Sequence, residues 1–194
     1  MAYIFKSGNY EGKSIEQVAL TDYAHLERIM YYKKRMRDLL SEDIRHVSYN
    51  LNNFIPVVKC NEKECDKTSE YLTIYLHKDW VDIKIDGMPK KVYKPTGISV
   101  SPNYSWCNSH KTRAEYLKAK PYQIKFEILA EFPAHPKWVR ETIEDVLLQC
   151  AGFNGHKKTK KNCEDFINSL KLKGQTDFFK NLGMNGDLEN IVIK

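Results

Sequence analysis

The sequence predicts an α+β fold with a mainly antiparallel sheet, and three observations support this class. Residues 71–76 and 81–86 are rich in β-branched and aromatic residues, and the second segment alternates apolar with polar positions. Residues 136–149 carry apolar side chains at helical spacing. Two pairs of cysteine or histidine residues, Cys60 with Cys65 and Cys107 with His110, flank the strand region. The sheet is therefore expected in the middle of the chain, with helices on both sides.

The N-terminal quarter of the chain is predicted to be helical. Ser14 can cap a short helix over residues 15–19, because a serine hydroxyl accepts from the free N–H groups of a first turn. A second helix begins at Thr21 or Asp22 and continues to about residue 40. Asparagines and Pro56 then break the pattern. We place a boundary there, between an N-terminal helical module of residues 1–52 and an α+β domain of residues 53–194.

The remaining elements are predicted from turn residues and periodicity. Residues 71–76 and 81–86 are expected to be the two strands of a hairpin. Turns at 87–89 and 95–97 are expected to enclose another short strand, and residues 98–100 could add one more. Residues 109–120 favour a helix that ends at Pro121, and residues 122–129 alternate as a strand. Helices follow at 136–149, 161–172 and 176–182, and residues 191–193 could pair as a strand.

Composition places the chain among ordinary globular proteins. Of its 194 residues, 42% are hydrophobic and 29% charged, which excludes the intrinsically disordered class. No segment approaches the roughly 20 apolar residues that cross a bilayer, and no basic region followed by an apolar one begins the chain. Five cysteines, an odd number, then favour reduced thiols or metal ligands over disulfides. We therefore expect a cytoplasmic protein without a membrane partner.

The four flanking residues form a candidate metal site. Cys60 and Cys65 lie on a polar turn at a spacing that lets two thiolates grip one ion, and Cys107 and His110 supply a second pair. Four such ligands predict a structural zinc ion that leaves no position for water, so catalysis by this metal is not expected. The alternative is that the three cysteines are ordinary reduced thiols and that His110 only decorates a helix.

The order of these elements resembles the treble-clef arrangement of zinc-binding domains. A cysteine turn comes first, a β-hairpin follows, and the second ligand pair, Cys107 and His110, stands at the start of the predicted helix. The resemblance implies a zinc-stapled hairpin and helix unit, flanked by N-terminal and C-terminal helices. A helix N-terminus at Cys107 would also favour its thiolate.

A second set of metal-compatible residues, Cys150, His156 and Cys163, is a weaker candidate. It offers only three ligands, and Cys150 takes a core position of the predicted helix. We expect ordinary buried thiols there.

The N-terminal segment carries a pattern of turn and helix residues, which are Gly8, Tyr10, Gly12, Lys13, Ser14, Ile15, Ala19, Asp22 and Tyr23. With these residues it resembles the small C-terminal module of exonuclease X-like proteins. The acidic exonuclease domain that accompanies the module in those enzymes is missing from this sequence. The resemblance therefore implies association with nucleic-acid metabolism and does not transfer catalysis. The alternative is that residues 12–14 form only a turn and a helix cap.

Basic residues support an anionic partner. The formal charge is +6, from 31 Lys and Arg against 25 Asp and Glu. Lysine next to a helix N-terminus and runs of basic residues suit phosphate contacts, or more simply a solvated surface. The candidate nucleic-acid contacts are Lys13, Lys33, Lys34, Arg35, Arg37, Lys157, Lys158, Lys160 and Lys161.

The sequence therefore favours a zinc-binding protein that associates with DNA or RNA as a binding or accessory factor. A metal-dependent nuclease using Asp79, Asp82 and Glu127 is an alternative, although Asp82 sits in an alternating pattern typical of a solvated strand face. A non-catalytic protein-interaction adaptor is another, since a fold does not fix a function. The complete ligand set favours a protein that is not an enzyme.

Overall fold

The computed structural model describes residues 3–32, 39–116, 119–132, 135–154 and 157–173. Within these ranges the elements are α1 (Ile15–Ala19), α2 (Tyr23–Tyr32), α3 (Leu39–Asn53), β1 (Tyr71–Ile85), β2 (Met88–Trp106), α4 (Arg113–Tyr116), β3 (Lys120–Gln123), a 3-10 helix (Phe126–Glu131), α5 (Lys137–Cys150) and α6 (Lys160–Ser169). The three strands form an antiparallel sheet in the order β2-β1-β3. The predicted α+β class is confirmed.

The first predicted helix is confirmed, and its cap is a capping box. The Ser14 hydroxyl accepts from the Gln17 backbone N–H at 3.3 Å, and the Gln17 side-chain oxygen accepts from the Ser14 N–H at 3.1 Å. Two N–H groups that the first turn leaves without intrahelical partners are thereby satisfied. Ile15, Val18 and Ala19 are buried on the inner face of α1.

The second predicted helix differs in its bounds. It begins at Tyr23, and α2 is described as far as Tyr32, while a further helix that was not predicted, α3, covers Leu39–Asn53. The amides of Asn52 and Asn53 each donate at 2.9 Å to the carbonyl four residues earlier in α3. α3 ends at Asn53, among the asparagines where the break is predicted.

One apolar core joins the helices to the inner end of the sheet. Its members include Tyr23 from α2, Phe126 from the 3-10 helix and Leu147 from α5, all fully buried. Asn52 connects the same elements, since its amide donates to the Tyr23 hydroxyl at 2.7 Å and its carbonyl oxygen accepts from the Glu127 N–H at 2.7 Å. The core therefore continues across the predicted boundary at residues 52 and 53, and the division into two domains stays a prediction.

The predicted hairpin of residues 71–76 with 81–86 is wrong, because both segments belong to the single strand β1. Its partner is β2, and the chain reverses at Asp86 and Gly87, whose φ values are 50° and 79°. A two-residue turn with both φ values positive matches the twist of the strands, and Asp-Gly is a preferred sequence for it. Residues 77–80 contain no glycine, proline or asparagine to reverse the chain earlier.

Two predictions after the hairpin are also wrong in part. The helix expected over residues 109–120 is limited to Arg113–Tyr116 in the described residues, and Pro121 lies in β3 rather than at a helix end. The strand expected over residues 122–129 stops at Gln123 and gives way to the 3-10 helix. In this helix the consecutive residues Ile128 and Leu129 are both buried, whereas the predicted alternation would bury only one face of a strand.

The C-terminal helices that the structure describes follow the prediction closely. Pro136 caps α5, and the Thr159 hydroxyl accepts from the Asn162 N–H at the start of α6. The predicted segments 176–182 and 191–193 lie outside the described residues. Among the residues that are described, no helix is both long and apolar enough to cross a membrane.

Candidate metal centre

The structure brings the four predicted ligands together. One ligand atom from each of Cys60, Cys65, Cys107 and His110 lies within 4.8 Å of all the others. Cys60 and Cys107 are buried, while Cys65 and His110 are half-buried. A metal ion needs at least three histidine, cysteine or acidic side chains close together, and within the described part of the chain this is the one such group.

The separations between the ligand atoms fit a tetrahedral metal ion. The Cys65 and Cys107 Sγ atoms are 3.9 Å apart, and the His110 Nδ1 atom lies 3.5 Å from Cys60 Sγ and 3.4 Å from Cys107 Sγ. Bonds of about 2.3 Å to sulfur and about 2.0 Å to nitrogen place two sulfurs about 3.8 Å apart and a sulfur and a nitrogen about 3.5 Å apart in a tetrahedral zinc site. The site is therefore compatible with zinc.

The first ligand turn is shaped by its own backbone. The Cys60 N–H donates to the Lys67 carbonyl at 2.9 Å, and the Cys65 N–H donates to the Glu62 carbonyl at 3.1 Å. Glu64 adopts a left-handed conformation with φ of 63°. This reversal lets the chain fold back within the turn, so both thiols point to the same place.

The second ligand turn follows β2 directly. The N–H groups of Ser109 and His110 both donate to the Cys107 sulfur, and the His110 N–H also donates to the Cys107 carbonyl at 3.0 Å. The ligands thus occupy a tight turn that precedes the short helix α4, whereas the sequence predicts that a long helix begins there. Backbone N–H groups, rather than a helix dipole, favour the thiolate.

The pKa values of the Cys65 and Cys107 thiols reflect burial, backbone N–H groups and the neighbouring thiols. Burial raises the pKa of the Cys107 thiol, but the N–H groups of Ser109 and His110 and the neighbouring thiols outweigh burial, so the net direction is downward. At Cys65 the Lys67 N–H lowers the pKa, yet burial and the neighbouring thiols raise it overall. Three thiolates at this spacing repel one another, and a divalent cation among them would stabilise all three.

The site sits at the root of the β1–β2 hairpin. The Asn61 N–H donates to the Ser105 carbonyl, which ties the first ligand turn to the end of β2, and the Glu70 N–H, just before β1, donates to the Trp106 carbonyl. The Trp106 ring is buried beside Cys60 and Cys107, and its indole N–H donates to the Thr73 hydroxyl at 2.7 Å. A metal ion held here would fix the two ligand turns to the hairpin.

Two polar contacts that support the site are not predicted from the sequence. Glu62 accepts from the Arg113 Nε at 2.7 Å, and the Lys67 ammonium donates to the Ser109 hydroxyl at 3.4 Å. Each contact joins the first ligand turn to the second turn or to the helix after it. The sequence does not predict which residue a charged side chain between two cysteines will contact, because that residue is distant along the chain.

The weaker set of cysteines lies elsewhere. Cys150 and Cys163 are fully buried in the helical core, where burial raises their pKa values to about 12 and about 11. Thiols of this kind stay protonated and behave as small apolar side chains. His156 lies outside the described residues.

The carboxylates suggested for a nuclease do not form a metal-compatible group within the described residues. Asp79 and Asp82 both lie in β1, and because their separation is odd they point to opposite faces of the hairpin. Glu127 belongs to the 3-10 helix and not to the strand that carries the two aspartates. No shared cation site joins the three.

The basic residues of the C-terminal half lie beside the N-terminal module. Lys157, Lys160 and Lys161 are exposed, while Lys158 is half-buried and pairs with Asp145 at 3.5 Å. The Lys158 carbonyl accepts from the Gln17 amide of α1 at 3.2 Å, so this segment packs against the module.

Lys13 is also exposed, and its ammonium lies 5.6 Å from the centre of the Tyr10 ring. The remaining candidates for nucleic-acid contact, which are Lys33, Lys34, Arg35 and Arg37, lie outside the described residues.

Comparison with protein-family models, with curated proteins and with solved structures gives no match to this chain. The resemblances to the exonuclease X module and to the treble clef therefore stay predictions, and the description of the metal centre rests on its geometry.

Proposed function

We propose that this is a nucleic-acid-associated protein whose Cys60, Cys65, Cys107 and His110 hold one structural zinc ion. The observation that carries the proposal is the convergence of four ligand atoms within 4.8 Å at the root of the hairpin. Three thiolates and one imidazole fill a tetrahedral shell and leave no position for a reacting water. The metal would then stabilise the fold and take no part in chemistry.

The surface charge supports a nucleic-acid partner. The formal charge of +6 and the exposed side chains of Lys13, Lys157, Lys160 and Lys161 suit phosphate contacts. The segment of residues 157–161 packs against the module that resembles a part of exonuclease X-like proteins, so both features concern the same side of the molecule. The role that fits them is binding or accessory.

Metal analysis tests the zinc assignment. The purified protein is expected to contain about one zinc per chain, and Cys65→Ser and His110→Ala are each expected to lose it, because three ligands bind far more weakly than four. Cys163→Ser and His77→Ala are matched controls that remove a thiol and an imidazole away from the site. Full metal retention in Cys65→Ser and His110→Ala would overturn the assignment.

A salt titration tests the nucleic-acid assignment. Affinity for a fluorescent oligonucleotide is expected to fall as salt rises. The double variant Lys157→Ala/Lys161→Ala should make the slope of log affinity against log salt shallower by about 1 for each phosphate that a lysine no longer neutralises. Lys137→Ala, an exposed lysine paired with Glu141 on α5, is the matched control. Absence of binding even at low salt would overturn the assignment.

Two alternatives stay predictions, and the same oligonucleotides distinguish them. Cleavage of the labelled oligonucleotide on addition of magnesium or manganese, with the zinc ligands intact, would favour a nuclease. A zinc-containing protein that binds no nucleic acid at any salt concentration would favour a protein-interaction adaptor.

A further inference from the structure

The outer part of the hairpin projects beyond the rest of the sheet. Pairing between β1 and β2 is continuous from Lys78 opposite Pro95 to Ile85 opposite Met88, and we call residues 78–95 the distal ribbon. The third strand, β3, pairs only with residues 71–74. The distal ribbon is therefore a two-stranded structure whose side chains are exposed or half-buried throughout. Two-stranded ribbons are only marginally stable alone in water. The exposed apolar residues of the distal ribbon therefore suggest an interaction surface.

The two faces of the distal ribbon differ in chemistry. Directly opposite residues share a face and successive residues alternate. One face, the aromatic face, carries Lys78, Trp80, Asp82, Lys84, Pro89, Lys91, Tyr93 and Pro95. The other, the aliphatic face, carries Asp79, Val81, Ile83, Ile85, Met88, Lys90, Val92 and Lys94.

The aromatic face presents a pair of rings to solvent. Trp80 and Tyr93 are opposite each other, with ring centres 5.5 Å apart and ring planes at 47°. They keep 64% and 56% of their surface exposed, although rings of this size are normally buried. Each ring therefore stabilises its neighbour while one surface of the pair stays free for a planar ligand.

Lysines surround the ring pair. Lys78 stands two residues before Trp80 and Lys84 four residues after it, about 7 Å and 13 Å along the strand. Lys91 lies two residues from Tyr93 on the partner strand. None of the three lysines forms an ion pair with a described residue, and the one acidic residue of this face is Asp82, opposite Lys91.

We propose that the aromatic face binds single-stranded nucleic acid, with bases stacked on Trp80 and Tyr93 and phosphates near Lys78, Lys84 and Lys91. This inference rests on the proposed function and names the surface and the form of the ligand. Stacked aromatic rings with adjacent cations are the means by which proteins hold unpaired strands without reading their sequence. The ligand class is an unpaired DNA or RNA strand.

A duplex ligand fits this surface less well. A two-stranded ribbon can enter the major groove, but base edges are read there mainly by arginine, lysine, asparagine and glutamine, and of these residues 77–97 contain only lysine. A base can stack on the rings of Trp80 and Tyr93 only when neighbouring bases do not cover its own flat face. The composition of the distal ribbon therefore favours an unpaired strand.

Binding of labelled oligo-dT, oligo-rU and a duplex, measured by fluorescence anisotropy at one salt concentration, tests the inference. The full chain is expected to prefer the unpaired strands, and the two homopolymers distinguish DNA from RNA. Trp80→Ala and Tyr93→Ala should each weaken binding by roughly 5- to 150-fold. Trp138→Ala, an exposed tryptophan on α5, is the matched control and should leave affinity unchanged.

Tryptophan emission gives a second readout. The chain has three tryptophans, and Trp106 is buried, so a stacked base should quench mainly Trp80. Trp80→Phe is expected to keep most of the affinity, because the ring remains, and to lose the quenching. A merely structural role for Trp80 would not produce this combination.

The outcomes separate the inference from the proposed function. If the wild-type protein binds no oligonucleotide, both are overturned. If it binds but Trp80→Ala and Tyr93→Ala bind equally well, or if the duplex is preferred, only the inference is overturned. If those variants bind normally while Val92→Asp changes the oligomeric state, the aliphatic face joins two copies of the chain and the aromatic face is not the binding surface.

Discussion

The helical core and the end of the sheet that carries the metal-compatible cluster are built in different ways. The core buries large apolar side chains from several segments, including Ile15, Phe126 and Leu147. The other end has a separate buried cluster of only Cys60, Trp106 and Cys107. Burial alone stabilises such a small cluster by a few kcal/mol at about 25 cal/mol per Å², which hardly offsets the ordering of its two turns. The comparison leads us to expect that ligation of a metal ion would take the place of packing where the apolar core ends.

The largest effect should come from removing the metal. Chelation of the zinc-loaded protein is expected to destabilise the two ligand turns by an amount on the order of 10 kcal/mol, the range of structural zinc sites, because no packing replaces the ligands. Hydrogen exchange should accelerate at the amides of Cys60 and His110, which donate within the turns. The amide of Ala151, which donates to Leu147 in the core, serves as the internal control. Equal protection of the turns with and without metal would show that packing suffices there.

The next largest effect should come from truncating the core. Leu147→Ala is expected to lower the free energy of unfolding by about 2–5 kcal/mol, since a fully buried leucine leaves a cavity. Zinc content should stay unchanged, because Leu147 belongs to the other cluster. Denaturant unfolding and metal analysis measure the two results. Leu170→Ala, at a half-buried position, is the control with a smaller expected loss. Loss of zinc from the folded Leu147→Ala protein would couple the two regions.

A buried carboxyl should make the core sensitive to pH. Glu144 is 5% exposed, its Oε1 has no hydrogen-bond partner among the described residues, and burial raises its pKa to about 8. Lys158 lowers this pKa, while Asp22 and Asp145 raise it. A carboxyl with a folded pKa above its unfolded value of 4.5 binds its proton more tightly in the folded state. Its contribution to stability is thus complete at low pH and declines as pH rises towards about 8.

Glu144→Gln should remove this dependence, because the amide imitates the protonated carboxyl. The variant is expected to be more stable than the wild-type protein at pH 8, and the difference between the two should shrink by about 3 kcal/mol on going from pH 8 to pH 5.5. Urea unfolding at several pH values measures it, with the exposed Glu141→Gln as control. A difference that does not vary with pH would contradict the assigned cause.

The smallest effect should come from the cap of α1. Ser14→Ala removes the side-chain half of the capping box and is expected to lower the free energy of unfolding by about 1 kcal/mol. Ser169→Ala, at the exposed end of α6, should have a smaller effect. Thermal denaturation of both variants compares them. A similar melting temperature for Ser14→Ala and the wild-type protein would indicate that packing of Ile15 and Val18 determines this helix.

Sequence patterns that extend over a few residues correctly predicted the starts of α1 and α5 and the set of candidate metal ligands. Ser14 marks the start of α1, Pro136 precedes α5, and the paired spacing of the ligands predicts which four residues converge. The hairpin was placed wrongly although Asp86 and Gly87 carry its turn signal, and only the irregularities of its register depend on pairing over long distances. The 3-10 helix was not predictable either, since burial of successive residues there is a property of the tertiary core.

The same misplaced turn explains why the pairing of Trp80 with Tyr93 was missed. They are thirteen positions apart, and a two-residue turn at Asp86 and Gly87 places them opposite each other. The alternation around Asp82 indicates a strand face, but it does not reveal that neither face of the distal ribbon is covered by the described residues.

The prolines of β2 have a consequence for the behaviour of the protein in concentrated solution. An outer strand with free N–H and C=O groups invites another chain to add to the sheet, which is how many proteins aggregate. β2 is the outer strand of the described sheet and contains Pro89, Pro95 and Pro102, and a proline on such a strand presents no donor to an incoming chain. The lysines between them add electrostatic repulsion. The β2 edge of the hairpin is therefore a poor template for fibrils, whereas the β1 edge beyond residue 74, which β3 does not cover, contains no proline.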